Sequence, residues 1–244
     1  MKLHDFSVRG IESWIDEICD WEFYEKIPVS DNNFHIGQFF VGHVKYPSIL
    51  SPKVLQIEQH DKENELNTIF KIADYDPSEQ KQRMHPIKQL DLGSQDRLYI
   101  SAGKKRTVIL LRTIESPWIV NRNERLALCL PIASFKSQHD RKFILNIQLF
   151  RFPQYFYIKP SEKGAKMESA ARFELIQYVN LDYLEPVQNE NKSFFKLSSY
   201  ILKILYNHLC KYIFDKPYDD SLESEIFAFR EIMMEGQDIK EVLS

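Results

Sequence analysis

The sequence predicts an α+β fold in which antiparallel strands form the middle of the chain and helices lie toward its ends. Short apolar runs rich in β-branched residues recur between residues 103 and 147, bounded by charged or glycine-containing segments. Such runs are typical of strands that are buried on both faces. Apolar residues at helical spacing instead occupy residues 11–26 and 193–214. With 244 residues, 43% of them hydrophobic, the chain can bury a substantial core.

Charge and cysteine content restrict the functional classes. The formal net charge is −3, so a nucleic-acid site would have to be a local basic patch. Cys19, Cys129 and Cys210 lie in apolar contexts and are expected to be free thiols in a reducing compartment. The spacing of Cys and His suggests no metal site, and no cofactor is expected. Because the sequence contains neither a signal-peptide pattern nor a run long enough to cross a bilayer, we expect a cytoplasmic protein without membrane contact.

The first hundred residues combine one helical pattern with several short strands. Residues 11–26 are predicted to form an amphipathic helix that packs on the body of the protein or on a partner. Residues 35–46 are predicted to form a strand, in which His43 is either a general base or a structural side chain. Residues 54–59 suit a strand, residues 65–75 suit a strand or a short helix, and residues 96–102 suit a strand that leads into Gly103.

The central stretch brings a basic cluster and a hydroxyl to neighbouring strand ends. Residues 103–112, 126–135 and 142–147 are predicted to be three strands. Lys104, Lys105 and Arg106 enter the first, and Ser134 leaves the second. In an antiparallel meander these positions can lie side by side, so a guanidinium and a hydroxyl could hold a phosphate together. The alternative is that the basic cluster is a solvated strand entry and Ser134 a turn residue.

An aromatic stretch and two more helices complete the chain. Residues 144–160 interleave aromatic and basic side chains, which suits either a barrel core or a surface for single-stranded nucleic acid. Within this stretch Arg151, Tyr155 and Tyr157 are the candidates for binding, and the phenylalanines are candidates for the core. Residues 193–214 are predicted to form a helix with Ser193 as its N-cap and with a buried histidine at position 208. A last helix is predicted between a cap at residue 221 and Gly236.

Two of the predicted central strands and one later segment together resemble the MazF/PemK/Kid ribonuclease toxins. KKRTVILLR corresponds to the family's "KRPxVVLS" strand, LALCLPIASF to its "xxVxPITS"-like strand, and FELIQYVNLD to its "xxxDQIxxID" segment, with Gln177 and Asp182 in the matching places. The resemblance covers about residues 103–187. It implies a small SH3-like β-barrel of the PemK/MazF/CcdB type at residues 31–190, with an enlarged early loop at about residues 47–101. Residues 1–30 and 191–244 would then be helical extensions.

The same resemblance implies an activity. Members of this family are toxins of toxin–antitoxin pairs, and they cleave single-stranded RNA without a metal to 2',3'-cyclic phosphate and 5'-hydroxyl ends. Arg106 would stabilise the charge on the reacting phosphate, and Ser134 would form a hydrogen bond to it. The residues expected to bind the substrate are Lys104, Lys105, Arg151, Tyr155, Tyr157 and Gln177. The resemblance also implies a homodimer and a cognate antitoxin, whereas the residues alone do not identify the general base.

Two other functions stay open. The CcdB-type gyrase poisons share this fold but act by binding protein, so the chain could be a non-catalytic binding module. A regulatory or phage-defence component, in which the flanking helices replace the antitoxin contact, is a third hypothesis. If Arg106 and Ser134 lie within reach of each other in an open groove, the ribonuclease hypothesis is favoured over the binding module.

Overall fold

The computed structural model describes residues 14–19, 21–28, 33–45, 53–59, 61, 63, 67–74, 98–115 and 125–235. Of the residues predicted to form helices or strands, residues 11–13, 20, 46, 65–66, 75 and 96–97 and Gly236 lie outside these ranges. The chain divides into two compact units, one drawn from residues 1–44 and 105–244 and the other from residues 45–104. The described residues form a mixture of antiparallel sheets and a few helices, which confirms the predicted α+β class.

The elements follow one another in this order: α1 Ile15–Ile18, β1 Tyr24–Ile27, β2 Phe39–Lys45, β3 Lys53–Gln59, β4 Ile69–Asp74, β5 Leu98–Ile100, β6 Gly103–Glu115, β7 Arg125–Ser134, α2 Arg141–Gln148, β8 Tyr155–Ile158, β9 Ser169–Arg172, β10 Gln177–Asn180, β11 Glu185–Pro186, β12 Phe194–Leu197, α3 Ser199–Phe214 and α4 Asp220–Glu235. Single 3₁₀ turns occur at Phe173–Leu175 and Leu181–Tyr183.

The main sheet of the larger unit is organised around β7. Its strand order is β11-β2-β6-β7-β9-β8, and β10 also pairs with β7. One edge of β7 pairs with β6, while β10 and β9 pair with its earlier and later residues. Side chains of β6 alternate between two hydrophobic clusters, with Ile109 and Leu111 in one and Val108 and Leu110 in the other. This confirms that the run beginning at Gly103 contains a strand buried on both faces.

The larger hydrophobic cluster gathers residues that are far apart in the chain. Trp14 is fully buried, and its indole Nε1 donates a hydrogen bond to the Gln148 carbonyl at 3.0 Å. Its ring lies 5.8 Å from that of Phe150 and 5.2 Å from that of Tyr157. His208, on α3, lies 5.2 Å from Phe150 between ring centroids and is only 4% exposed, so the prediction of a core histidine is confirmed.

The second unit is a three-stranded antiparallel sheet with the order β4-β3-β5. Its register includes Lys53 opposite Asp74 and Ile57 opposite Phe70. Of the stretch 65–75, for which a strand or a short helix was predicted, Ile69–Asp74 is a strand. Most of its described side chains are exposed or half-buried, and Val54 is buried. In the described residues, the main sheet and this smaller sheet are therefore separate hydrogen-bonded sheets.

One predicted strand is wrong. Residues 142–147 belong to α2, not to a strand. Asp140 caps this helix by accepting a hydrogen bond from the Phe143 N–H at 2.6 Å. Ile144, Leu145 and Ile147 are buried along one side of it, so a helix buries the apolar residues that were interpreted as a strand.

The first helix and the long helix are shorter than predicted, because residues at the end of one prediction and at the start of the other pair as strands. Of residues 11–26, Ile15–Ile18 is helical, and Tyr24–Ile27 is a strand whose partner is β12. Residues that were predicted to begin the long helix therefore form β12. Ser198 caps α3 instead of Ser193, by accepting a hydrogen bond from the N–H three residues later at 3.4 Å.

Asp219 provides the corresponding cap of α4. Its Oδ1 accepts hydrogen bonds from the N–H groups of Ser221 and Leu222 at 2.9 and 3.2 Å, so the predicted cap at Ser221 is wrong. Among the described helices, none has the length and apolar character needed to span a membrane.

Candidate functional site

Arg106 and Ser134 lie at the same end of the β6–β7 pair. The register places Val108 opposite Pro131. Arg106 is two residues before this pair on β6, and Ser134 is three residues after it on β7. Because the strands are antiparallel, the start of one lies beside the end of the other. Both residues line one groove with a volume of about 320 Å³, within the range of sites for small ligands.

The groove has an apolar floor and a basic, hydroxyl-rich lining. Phe39, Ile132 and Phe195 contribute apolar surface. The polar residues that line it are Lys105, Arg106, Thr107, Ser134, Lys166, Ser169 and Gln188. Three of these are cations, and among the described lining residues none is a carboxylate or an imidazole. The chain as a whole has a net charge of −3, so the groove concentrates positive charge against the overall balance.

A second serine orients Ser134. Ser134 pairs with Ser169 between β7 and β9, and their Oγ atoms are 3.2 Å apart. The Ser169 hydroxyl also lies 2.7 Å from the Met167 carbonyl, to which it donates. Because a hydroxyl has one proton, Ser169 then accepts a hydrogen bond from Ser134. Ser169 is 3% exposed and therefore gives the more exposed Ser134 a fixed partner at the edge of the groove.

The loop between β8 and β9 forms one wall of the groove and is held at several points. The Ser161 N–H donates to the Ala165 carbonyl at 2.8 Å, and the Phe135 N–H donates to the Glu168 carbonyl at 3.0 Å. Gly164 packs so closely on Tyr24 that an added Cβ would lie 2.3 Å from the tyrosine ring. A side chain at this position would therefore require the loop to move.

The two lysines predicted to bind substrate have different surroundings. The Lys105 Nζ lies 2.8 and 2.9 Å from the two carboxylate oxygens of Glu185, and both side chains are more than half exposed. The exposed Lys104 precedes it on β6 and is not among the residues that line the groove. Of the basic cluster, Lys105 and Arg106 therefore reach the groove, and Lys105 already has an anionic partner.

Tyr155 and Arg151 lie outside the groove. Tyr155 is half-buried and lines a smaller pocket of about 80 Å³, together with Ser134, Phe143 and Arg172. Arg151 is exposed, and its Nη1 lies 3.4 Å from Oδ1 of Asn146. Ser134 thus belongs to both cavities, whereas Arg151 lines neither of them.

Tyr157 and Gln177 also lie away from the groove. Tyr157 is fully buried, and its hydroxyl donates to Oε1 of Glu168 at 2.8 Å. Burial, together with the neighbouring Glu168, raises the pKa of this hydroxyl. Gln177 is half-buried on β10, and its Nε2 donates to the Leu175 carbonyl at 3.0 Å. The buried Tyr157 is thus not available to stack on a substrate.

Sequence reasoning missed Lys166, Ser169 and Gln188 as parts of the site. Lys166 and Ser169 belong to a polar connection, and their place beside Ser134 follows from the pairing of β9 with β7. The one local signal was the lysine–serine composition of residues 161–169. Comparison of the chain with protein-family models, curated proteins and solved structures gives no match.

Proposed function

We propose that the protein is a metal-independent endoribonuclease that binds the backbone phosphate of single-stranded RNA in this groove. The observation that carries the proposal is the joint lining by Arg106, Ser134 and two further cations, without a described carboxylate. Cationic side chains and hydroxyls are the groups that recognise phosphate. The resemblance to the MazF/PemK toxins agrees with this placement, because the two residues that it assigns to catalysis line the same groove.

The chemistry requires no nucleophile from the protein. The 2'-hydroxyl of RNA would lose its proton to solvent as its oxygen attacks the adjacent phosphorus. The bond from phosphorus to the 5'-oxygen would break, and that oxygen would take up a proton from solvent. The products are a 2',3'-cyclic phosphate and a 5'-hydroxyl. Negative charge on the phosphoryl oxygens rises in the transition state, where a bidentate guanidinium is most effective. Arg106 performs this role in the proposal, and Ser134 would turn its hydroxyl proton from Ser169 to donate a hydrogen bond to the same phosphate.

The finer predictions belong to this proposal as well. They are an SH3-like barrel of the PemK/MazF/CcdB type, a cytoplasmic toxin that works as a homodimer, and an antitoxin that neutralises it. In the strand pairing that the structure describes, β11 and β8 stand at the two ends of the order of the main sheet. The barrel assignment therefore rests on the resemblance, while the phosphate site rests on the groove.

The test is cleavage of a long RNA of mixed sequence in the presence of EDTA. Wild type is compared with Arg106→Ala, Arg106→Lys and Arg112→Ala. Arg112 is an exposed arginine on the same strand that does not line the groove, so Arg112→Ala controls for the removal of one positive charge from this strand. We expect cleavage to 5'-hydroxyl ends by wild type and Arg112→Ala, loss with Arg106→Ala, and incomplete rescue by Arg106→Lys because lysine has no fork. Equal cleavage by wild type and Arg106→Ala would refute the assignment.

A second candidate is a module on the same groove that binds without cleaving. One observation favours it: the described lining contains no carboxylate or imidazole to accept the proton of the 2'-hydroxyl. Such a module would bind its partner through the basic groove and leave RNA intact. The cleavage experiment separates the two candidates, since a binding module gives no 5'-hydroxyl ends with any variant. Retention of a protein partner by wild type but not by Arg106→Ala would then support the binding role.

A further inference from the structure

The three cations of the groove are not equally available to a ligand. Lys105 has both Glu185 carboxylate oxygens within 2.9 Å, so an anionic ligand would compete with Glu185 for this cation. Lys166 is exposed on the loop wall, and it makes no ion pair with any residue in the part of the chain that the structure describes. A cation that lines a groove without a carboxylate partner retains its full attraction for an anion.

The loop that carries Lys166 is fixed from both sides of that residue. Before it, the Ser161 N–H donates a hydrogen bond to the Ala165 carbonyl at 2.8 Å. The side-chain amide of Asn189 donates a hydrogen bond to the Lys163 carbonyl at 3.0 Å. After it, the Met167 carbonyl accepts the hydroxyl of Ser169. The backbone of Lys166 is therefore placed before any ligand arrives, which lowers the entropy lost on binding.

We propose that Lys166, and not Lys105, is the second cationic contact to the substrate phosphate beside Arg106. This inference rests on the proposed function. Arg106 supplies a planar fork from β6, and Lys166 supplies a mobile ammonium from the loop. A phosphodiester has one negative charge in the ground state, and more charge accumulates on its oxygens during the reaction. Lys166 therefore contributes to binding and, more strongly, to cleavage.

The test uses single-stranded RNA of mixed sequence in which every 2'-hydroxyl is methylated, so that binding is measured without cleavage. Affinity is followed by fluorescence anisotropy with EDTA between low and moderate salt. The variants are Lys166→Gln, Lys105→Gln and Lys163→Gln. Lys163 is the matched control, because it lies on the same loop and is paired with Glu22 at 2.8 Å outside the groove.

We expect Lys166→Gln to weaken binding about tenfold, as for one lost hydrogen bond from a charged group. It should also reduce the slope of log affinity against log salt by about 0.7, the value for one phosphate contact of a single strand. Lys163→Gln should keep the wild-type slope, and Lys105→Gln should change the slope less than Lys166→Gln does. Thermal unfolding of each variant verifies that the exposed substitution leaves the fold intact.

The other outcomes separate the two proposals. If wild type binds and Lys105→Gln, but not Lys166→Gln, lowers the slope, the inference about Lys166 is wrong and the phosphate groove stands. If wild type binds and neither substitution changes the slope, Lys166 is not a phosphate contact. If wild type does not bind the RNA at any salt concentration, the proposed function itself fails, and this inference fails with it.

Discussion

His208 provides the sharpest test of the core, because its burial determines how stability depends on pH. Its Nε2 donates a hydrogen bond to the Tyr155 carbonyl at 3.1 Å, and its ring lies between those of Phe150 and Phe173. Burial lowers the pKa of this imidazole from 6.5 to about 4. The folded protein therefore keeps His208 neutral over a pH interval in which the unfolded chain protonates it.

The magnitude follows from the two pKa values. A tenfold change in an ionisation constant corresponds to about 1.4 kcal/mol, so the interval between 6.5 and about 4 corresponds to roughly 3 kcal/mol. Above pH 6.5 both states are neutral at this position, and the full stability is present. As the pH falls toward 4, the unfolded state binds the extra proton, and this part of the free energy of unfolding is lost.

The perturbation is His208→Gln, which keeps an N–H donor for the Tyr155 carbonyl but does not titrate. Urea unfolding, followed by tryptophan fluorescence at pH 7, 6, 5 and 4, gives the free energy of unfolding of both proteins. The advantage of wild type over the variant should shrink by about 3 kcal/mol between pH 7 and pH 4. The Lys211–Glu223 ion pair faces the same histidine and is present in both proteins, so its titration cancels in the difference.

A constant difference between the two proteins at every pH would refute the reasoning. An NMR titration that finds the pKa of His208 near 6.5 in the folded protein would do so as well. Either result would mean that the ring is solvated rather than enclosed by Phe150 and Phe173.

Two further predictions concern the loop wall and its support. Gly164→Ala should lower the free energy of unfolding by roughly 1–3 kcal/mol, the usual cost of overpacking, because the new Cβ would meet the Tyr24 ring. Urea unfolding measures this loss, and an unchanged unfolding midpoint would contradict the close packing of Gly164 on Tyr24. Lys159→Met should cost roughly 3–5 kcal/mol at pH 7, because it leaves the buried Asp16 carboxylate, 3.0 Å from the Lys159 Nζ, without its cation. Since burial raises the pKa of Asp16, this loss should lessen in acid, where the uncompensated carboxylate protonates; a loss that is equal at pH 7 and pH 4 would count against it.

Local patterns were sufficient for the strands that carry Arg106 and Ser134. The apolar runs of β6 and β7 are buried on both faces, and an antiparallel pair places the start of one strand beside the end of the other. The residue types at these ends left two possibilities open, a phosphate site or a solvated strand entry beside a turn. What the strands contribute to the groove was therefore accessible from the sequence.

Elements defined by distant partners were not accessible in this way. The run at residues 142–147 has too few residues to distinguish a strand from a helix by periodicity, and the decisive signal was the cap at Asp140. Residues 194–197 are a strand because β1 pairs with them, and this partner cannot be recognised from the neighbouring sequence. Sequence reasoning missed Lys166 for a similar reason, because the pairing of β9 with β7 positions the loop that carries this lysine.

The pairing of β1 with β12 has a consequence for how the protein is made. Tyr24 lies opposite Leu197, and Trp14 donates its hydrogen bond to a carbonyl 134 residues further along the chain. A ribosome releases the chain from its N-terminus, so this early tryptophan must wait for most of the sequence before it can be enclosed. Contacts of such long range make folding slow. Until residues 148–157 have been synthesised, the indole of Trp14 cannot form its contacts with Gln148, Phe150 and Tyr157.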